Sequence, residues 1–147
     1  MSTTARQVFN LAIALMDEMN ENTGATDTTD TKEYKLRTPN ILSVLCGELY
    51  PYSDAYTLNT DGTRPICPAV ETIESTIGLD DTLCTTVLPY GLAAHLLLGE
   101  NNVMAGFFNQ RYEEMREKLK NIPASFEAIT DTYSSCGYNP YNNFGRW

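Results

Sequence analysis

The chain has 147 residues, one domain's worth, and a chain of this length can bury about 70% of the surface it exposes when unfolded. Ten lysines and arginines stand against 19 aspartates and glutamates, so the net charge of -9 argues against a surface built to grip phosphates and favours solubility or repulsion of nucleic acid. Cys46, Cys67, Cys84 and Cys136 are widely spread, with neither a C-x-x-C nor a cysteine-histidine cluster, and read as reduced, small apolar side chains of a cytosolically assembled protein; neither a zinc site nor a disulfide framework is expected.

Met1-Ser-Thr-Thr leads directly into a helical pattern without the arrangement of a signal peptide. The longest near-apolar run, Val87 to Leu98, is interrupted by Pro89, Gly91 and His95 and is too short for a bilayer, so neither export nor a membrane partner is expected. Thr4 is placed to cap a first helix in which Val8, Leu11, Leu15 and Met19 repeat at helical spacing, flanked by Phe9, Ile13 and Met16. Asp17, Glu18 and Glu21 crowd its C-terminal end, where the helix dipole disfavours acids. A solvated end is the plainer reading, a functional acidic surface the alternative.

Residues 22–31 are polar and threonine-rich and read as an exposed loop. Asp30 with Glu33 fits a capping box for a second helix carrying Tyr34, Leu36, Ile41, Leu42, Leu45 and Leu49. Pro39 leaves two readings open, a kinked helix or a turn followed by a new helix beginning at Pro39. From Pro51 to Gly78 the helical signal fades into extended and turning backbone, in which Ala69 to Ile77 is a short helix or a strand segment.

Asp80 to Asn121 reads as two long helices folded back on each other. Asp80-Asp81-Thr82 supplies an N-cap, Gly99 a left-handed C-terminal residue, and Asn101 or Asn102 the next cap. So short a connection makes the helices antiparallel, and facing residues then pair as Leu98 with Met104, Ala94 with Phe108, Tyr90 with Tyr112, Val87 with Met115 and Leu83 with Leu119. Small Gly91 and Ala94 are set against large Phe107 and Phe108. Two helices meeting different partners is the alternative. Pro89 predicts a kink, or a separate short helix before it, and the run to Leu98 is apolar nearly all round, which requires burial by the domain core or by a neighbouring copy. In the second helix Asn109, Gln110, Glu113, Glu114, Glu117 and Lys118 are expected to face water, with Glu114 and Lys118 forming an i, i+4 pair. Asn121-Ile122-Pro123 stops it.

The predicted fold class is therefore all-α. A small helical bundle occupies residues 1–121, built on a long antiparallel helical hairpin with extended loops and an irregular insertion at 51–78, and residues 122–147 form a non-helical C-terminal arm. That arm carries Phe126, Tyr133, Tyr138, Tyr141, Phe144 and Trp147, the last four at every third position. Spaced aromatics on an extended backbone suit an arm lying in a groove, so Tyr133, Tyr138, Tyr141, Phe144, Arg146 and Trp147 are candidate partner-binding residues. The alternative is that the arm wraps back on its own domain.

No chemistry-bearing motif accompanies this architecture. His95, the single histidine, reads as a half-buried helix residue with a hydrogen bond. Asp80 and Asp81 are adjacent at a helix start and serve as caps, the glycines form no phosphate-binding loop, and Arg111 is expected to pair with a carboxylate or a tail tyrosine ring. Neither an enzymatic activity nor a cofactor or metal is expected.

The run Leu88-Pro89-Tyr90-Gly91-Leu92-Ala93-Ala94-His95-Leu96-Leu97-Leu98, a short turn, then Ala105-Gly106-Phe107-Phe108-Asn109-Gln110-Arg111-Tyr112-Glu113-Glu114 resembles the small head–tail connector or adaptor proteins of tailed bacteriophages. The helix from Tyr34, ending Cys46-Gly47-Glu48-Leu49, is similar to the matching helix of that group. The resemblance implies a helical bundle that assembles as a ring, commonly dodecameric, under the portal, with a C-terminal arm reaching the portal or a neighbouring subunit. It implies as partners further copies of the chain, the portal protein and a downstream tail or neck protein, with DNA passing through unbound. The place implied is the virion neck, after assembly in the host bacterial cytoplasm. Another neck or tail-completion protein, or a monomeric helical binding module using the same arm, are the alternatives.

Overall fold

The computed structural model describes residues 2–120. The arm at 122–147, with all six of its candidate residues, and the helix stop at Asn121 lie outside them. Five α-helices follow in order: α1 (Ala5–Met16), α2 (Lys32–Leu49), α3 (Asp81–Thr86), α4 (Leu88–Leu97) and α5 (Asn102–Lys120), with a 3₁₀ turn at Tyr50–Tyr52. Among the described residues the sole β pairing is an isolated bridge, Thr4 with Thr76, so the helical class stands.

The first helix opens on a full capping box. Thr4 N–H donates to Gln7 Oε1 at 2.9 Å and Gln7 N–H to Thr4 Oγ1 at 3.4 Å. Its buried face is Ala5, Val8, Phe9, Ala12, Ile13 and Met16. Of the expected stripe, Val8 and the flanking Phe9, Ile13 and Met16 are buried, whereas Leu11 and Leu15 form the outer edge and Met19 lies beyond the helix, each of these three more than a third exposed. Both stripes have helical spacing, and the buried one carries the smaller Ala5 and Ala12. The helix stops at Met16 because Asp17 turns left-handed at φ 61°, and the N–H groups of Asp17 and Glu18 satisfy the last carbonyls of Ala14 and Ile13.

The following loop is less detached than its polarity suggested. Thr31 is fully buried and donates to Thr26 O at 2.7 Å, Thr26 donates to Asn10 Oδ1 at 2.8 Å, and Asp27 pairs with Arg6 and Lys35. With its hydroxyl so engaged, Thr31 precedes α2 without capping it by side chain, and the predicted Asp30-Glu33 box does not form. The second helix runs continuously through Pro39, and Leu36 lies outside its buried face of Tyr34, Thr38, Leu42, Leu45, Cys46 and Leu49.

Residues 53–80 form neither a helix nor a strand, yet they are tied into the core. Ala5 N–H donates to Ser75 O and Ile77 N–H to Thr3 O, both at 2.9 Å, while Thr3 holds Asp81 by its N–H and its hydroxyl at 2.9 and 2.6 Å. Ser53 is a second clip: its hydroxyl donates to Asp80 Oδ1 at 2.8 Å and accepts from Asp80 N–H at 3.1 Å. Ser43 on α2 is a third. Its Oγ accepts from Val70 N–H at 2.9 Å and lies 3.1 Å from Val70 O, fastening the buried Val70 to the helix. Ser43→Ala leaves that N–H without its partner, and a loss of about 1–2 kcal/mol in denaturant unfolding is expected.

The expected first arm of the hairpin is two helices. Asp80 caps α3 by accepting from Leu83 N–H at 3.2 Å, and the chain breaks at Val87 so that Pro89 falls in the first turn of α4, where a missing N–H costs nothing. That second short helix is the centre of the molecule, packing against each of the other four. Leu88, Leu92 and Leu96 form a fully buried i, i+4, i+8 row. The all-round apolar character of α4 is thus absorbed by its own domain and calls for no neighbouring copy.

Gly91 permits the closest approach. A Cβ placed there would lie 2.9 Å from Tyr112 Cδ2 and 3.1 Å from Leu45 Cδ1, so α2, α4 and α5 meet at this point. Its large counterpart is therefore Tyr112, not Phe107, which is half exposed. At the end of α4, Leu98 has left the helix with extended dihedrals and Gly99 turns at φ 106°. Asn101 then accepts from Met104 N–H at 3.1 Å, capping α5.

Candidate interaction surface

The predicted core residues of the hairpin divide along its length. Leu83, Val87, Ala94, Phe108 and Tyr112 are buried, and Tyr90, Met115 and Leu119 are half-buried against them, with the Tyr90 and Phe108 rings 6.2 Å apart. Leu98 and Met104 do not belong to the core. The helix ends at Leu97, so the Leu98 side chain is carried off the packed face and its rung is lost. At the other end α5 outruns α4, 19 residues or about 28 Å against 10 residues or about 15 Å, and Met115 and Leu119 are only partly covered.

The result at the α4–α5 turn is an apolar tip. Leu98 is 65% exposed, Val103 82% and Phe107 52%, with Met104 at its margin. Val103 and Phe107 are one turn apart on α5, beside rather than within the buried stripe of Ala105, Phe108 and Tyr112. The sequence carried a signal for this in an apolar i, i+4 pair outside the core stripe, hidden by the large-against-small pairing assumed for Phe107.

A second apolar concavity of about 400 Å³ lies along the outer edge of α1, lined by Leu11, Ala14, Leu15, Thr85, Thr86, Pro89, Tyr90 and Met115. A third opens where the 3₁₀ turn meets the irregular segment, with Tyr50, Tyr56, Arg64, Ile66 and Cys67 among its walls. The Tyr50 and Tyr56 rings meet edge to face there at 5.4 Å.

Several ionisable groups are engaged in holding the structure. Asp80 and Asp81 are occupied as described, and the hydrogen bond from the Thr3 hydroxyl holds the Asp81 carboxyl below the usual carboxylate range. Tyr34 donates to Glu100, joining α2 to the α4–α5 turn, and Tyr112 donates to Glu48 Oε2 at 2.9 Å, joining α5 to α2. Burial, reinforced by the adjoining carboxylate, pushes both phenols well above their ordinary range. Burial likewise pushes the Cys46 and Cys84 thiols up to about 12 and raises the half-buried Cys67, the reverse of what an activated thiolate needs.

His95 is exposed, not half-buried as expected. Arg111 lies 3.1 Å from Glu114 and over the Tyr90 ring, so Glu114 pairs with Arg111 and not with Lys118. No group of three or more metal-ligating side chains occurs among the described residues, and no helix there is long and apolar enough to cross a membrane. Comparison with protein-family models, curated proteins and solved structures finds no match.

Proposed function

We propose that this protein is a structural component of a tailed-phage virion, a connector that forms a ring beneath the portal and continues the channel through which DNA passes. The observation that carries the reading is the contrast between the surfaces and the ionisable groups. The tip at Leu98, Val103 and Phe107 and the edge at Leu11 and Leu15 leave apolar area uncovered, whereas the carboxylates, phenols and thiols described above are consumed in caps, clips and burial.

The resemblance of the Leu88–Leu98 and Ala105–Glu114 runs gives the class, and the helical domain built on the α4–α5 hairpin is the scaffold that presents these surfaces. A net charge of -9 suits a channel that must release DNA, because repulsion keeps phosphates from binding. Repetition around a ring turns a modest contact per subunit into a durable one. The aromatic arm, Tyr133 to Trp147, is the segment offered to the portal, to the adjacent subunit or to the next tail protein.

A symmetric reconstruction of the particle, including its portal vertex, tests the reading by location and copy number. A ring of this chain on the portal is the expected result; a single copy, or a position remote from the vertex, would overturn it. Removing Tyr138 to Trp147 is expected to leave helical circular dichroism intact while weakening ring or portal assembly. An unfolded, aggregated truncation product would instead assign that segment to the core of its own domain.

A further inference from the structure

The groove on the outer edge of α1 is walled by Leu11 and Leu15, by Pro89 and Tyr90 of α4 and by Met115 of α5, and none of its lining residues is charged. Leu11 and Leu15 are 39% and 38% exposed although the other face of the same helix is fully packed. Such an apolar trough suits an aromatic side chain.

The course of the chain says what covers it. Met115 forms part of the wall, and Lys120, where the described residues end, is five residues further along α5, about 7.5 Å of helix axis. The 27 residues that follow carry six aromatic side chains against three charged ones, Glu127, Asp131 and Arg146. We propose that in the free protein this groove is occupied by the chain's own last ten residues, Tyr138 to Trp147. A backbone with three residues per turn would set Tyr138, Tyr141, Phe144 and Trp147 on one side, so that several rings could meet one apolar wall.

The tether selects this occupant over the same segment of another copy. Counted as a random coil, the 17 residues from 121 to 137 would span roughly 20–25 Å on average, enough to return from Lys120 to the groove and short enough to hold the anchor at an effective concentration in the millimolar range. A second copy at ordinary working concentrations competes poorly with that. An arm stored in this way would have to leave its own groove before engaging a partner. The docking concerns the isolated protein and is independent of the connector reading, which is tested on assembled particles.

Trp147 is the single tryptophan and lies within the proposed anchor, so its fluorescence reports the docking directly in the full chain. The expected result is a blue-shifted emission, protected from acrylamide and unchanged across a dilution series. Leu11→Ser with Leu15→Ser, and separately Leu15→Glu, should lose that protection and shift the emission to that of exposed tryptophan while far-ultraviolet circular dichroism stays helical. Should Leu15→Glu unfold, the serine variant decides. Emission of an exposed tryptophan in the unmodified chain, or protection that survives the groove substitutions, would overturn the proposal. Protection that falls on dilution would overturn it in favour of a second copy.

Discussion

Gly91→Val is expected to lower the free energy of unfolding by about 2–3 kcal/mol, measured as a reduced denaturant midpoint with an unchanged slope. Even the first added carbon would lie 2.9 Å from the Tyr112 ring and 3.1 Å from the Leu45 methyl, and that ring is itself fixed by its hydrogen bond to Glu48. The helices must therefore separate or the ring must move, and either loses contacts throughout a close-packed region. Gly91→Ala should cost less, because a gain in helix propensity of about 1 kcal/mol offsets part of the crowding. Introducing Gly91→Val into a Tyr112→Leu background should cost less than in the unmodified protein. Strict additivity of the two substitutions would show that close approach to the ring is not the cause.

Leu92→Ala is expected to cost about 3–4 kcal/mol, and Leu98→Ala no more than about 0.5 kcal/mol. Both positions lie in the same apolar run, and the antiparallel pairing expected from the sequence made Leu98 the core residue of the two. Leu92 is fully enclosed in the row it shares with Leu88 and Leu96, so truncation leaves a cavity the surroundings cannot collapse into. Leu98 has left the helix and loses little on truncation. Equal losses at the two positions would contradict the central place of α4, and the comparison needs only thermal or denaturant melts of the two variants.

The connections were the least legible part of the sequence. Thr31 is indistinguishable by type from its polar neighbours, yet it is fully buried, because its hydroxyl finds the Thr26 carbonyl within its own turn. Ser43 and Ser53 gave no signal either. Each matters through a backbone N–H distant in the chain, Val70 and Asp80, and no local pattern encodes such a pairing. The apolar tip was missed for a related reason: periodicity marks Phe107 as apolar without saying that α4 stops too soon to cover it.

What the sequence determined by itself is local chemistry. The Thr4 cap, the turn at Gly99, the Asp80 cap and the helical class follow from residues within a few positions of one another, where one hydrogen bond or one dihedral restriction settles the outcome. Only the tertiary structure decided which of two competing stripes on α1 is buried, that α4, the shorter arm of the hairpin, is the centre, and which apolar side chains are left to solvent. Those outcomes depend on how closely helices approach, as at Gly91, where α2, α4 and α5 meet. Helical spacing fixes which residues share a face; it does not fix which face another helix will cover.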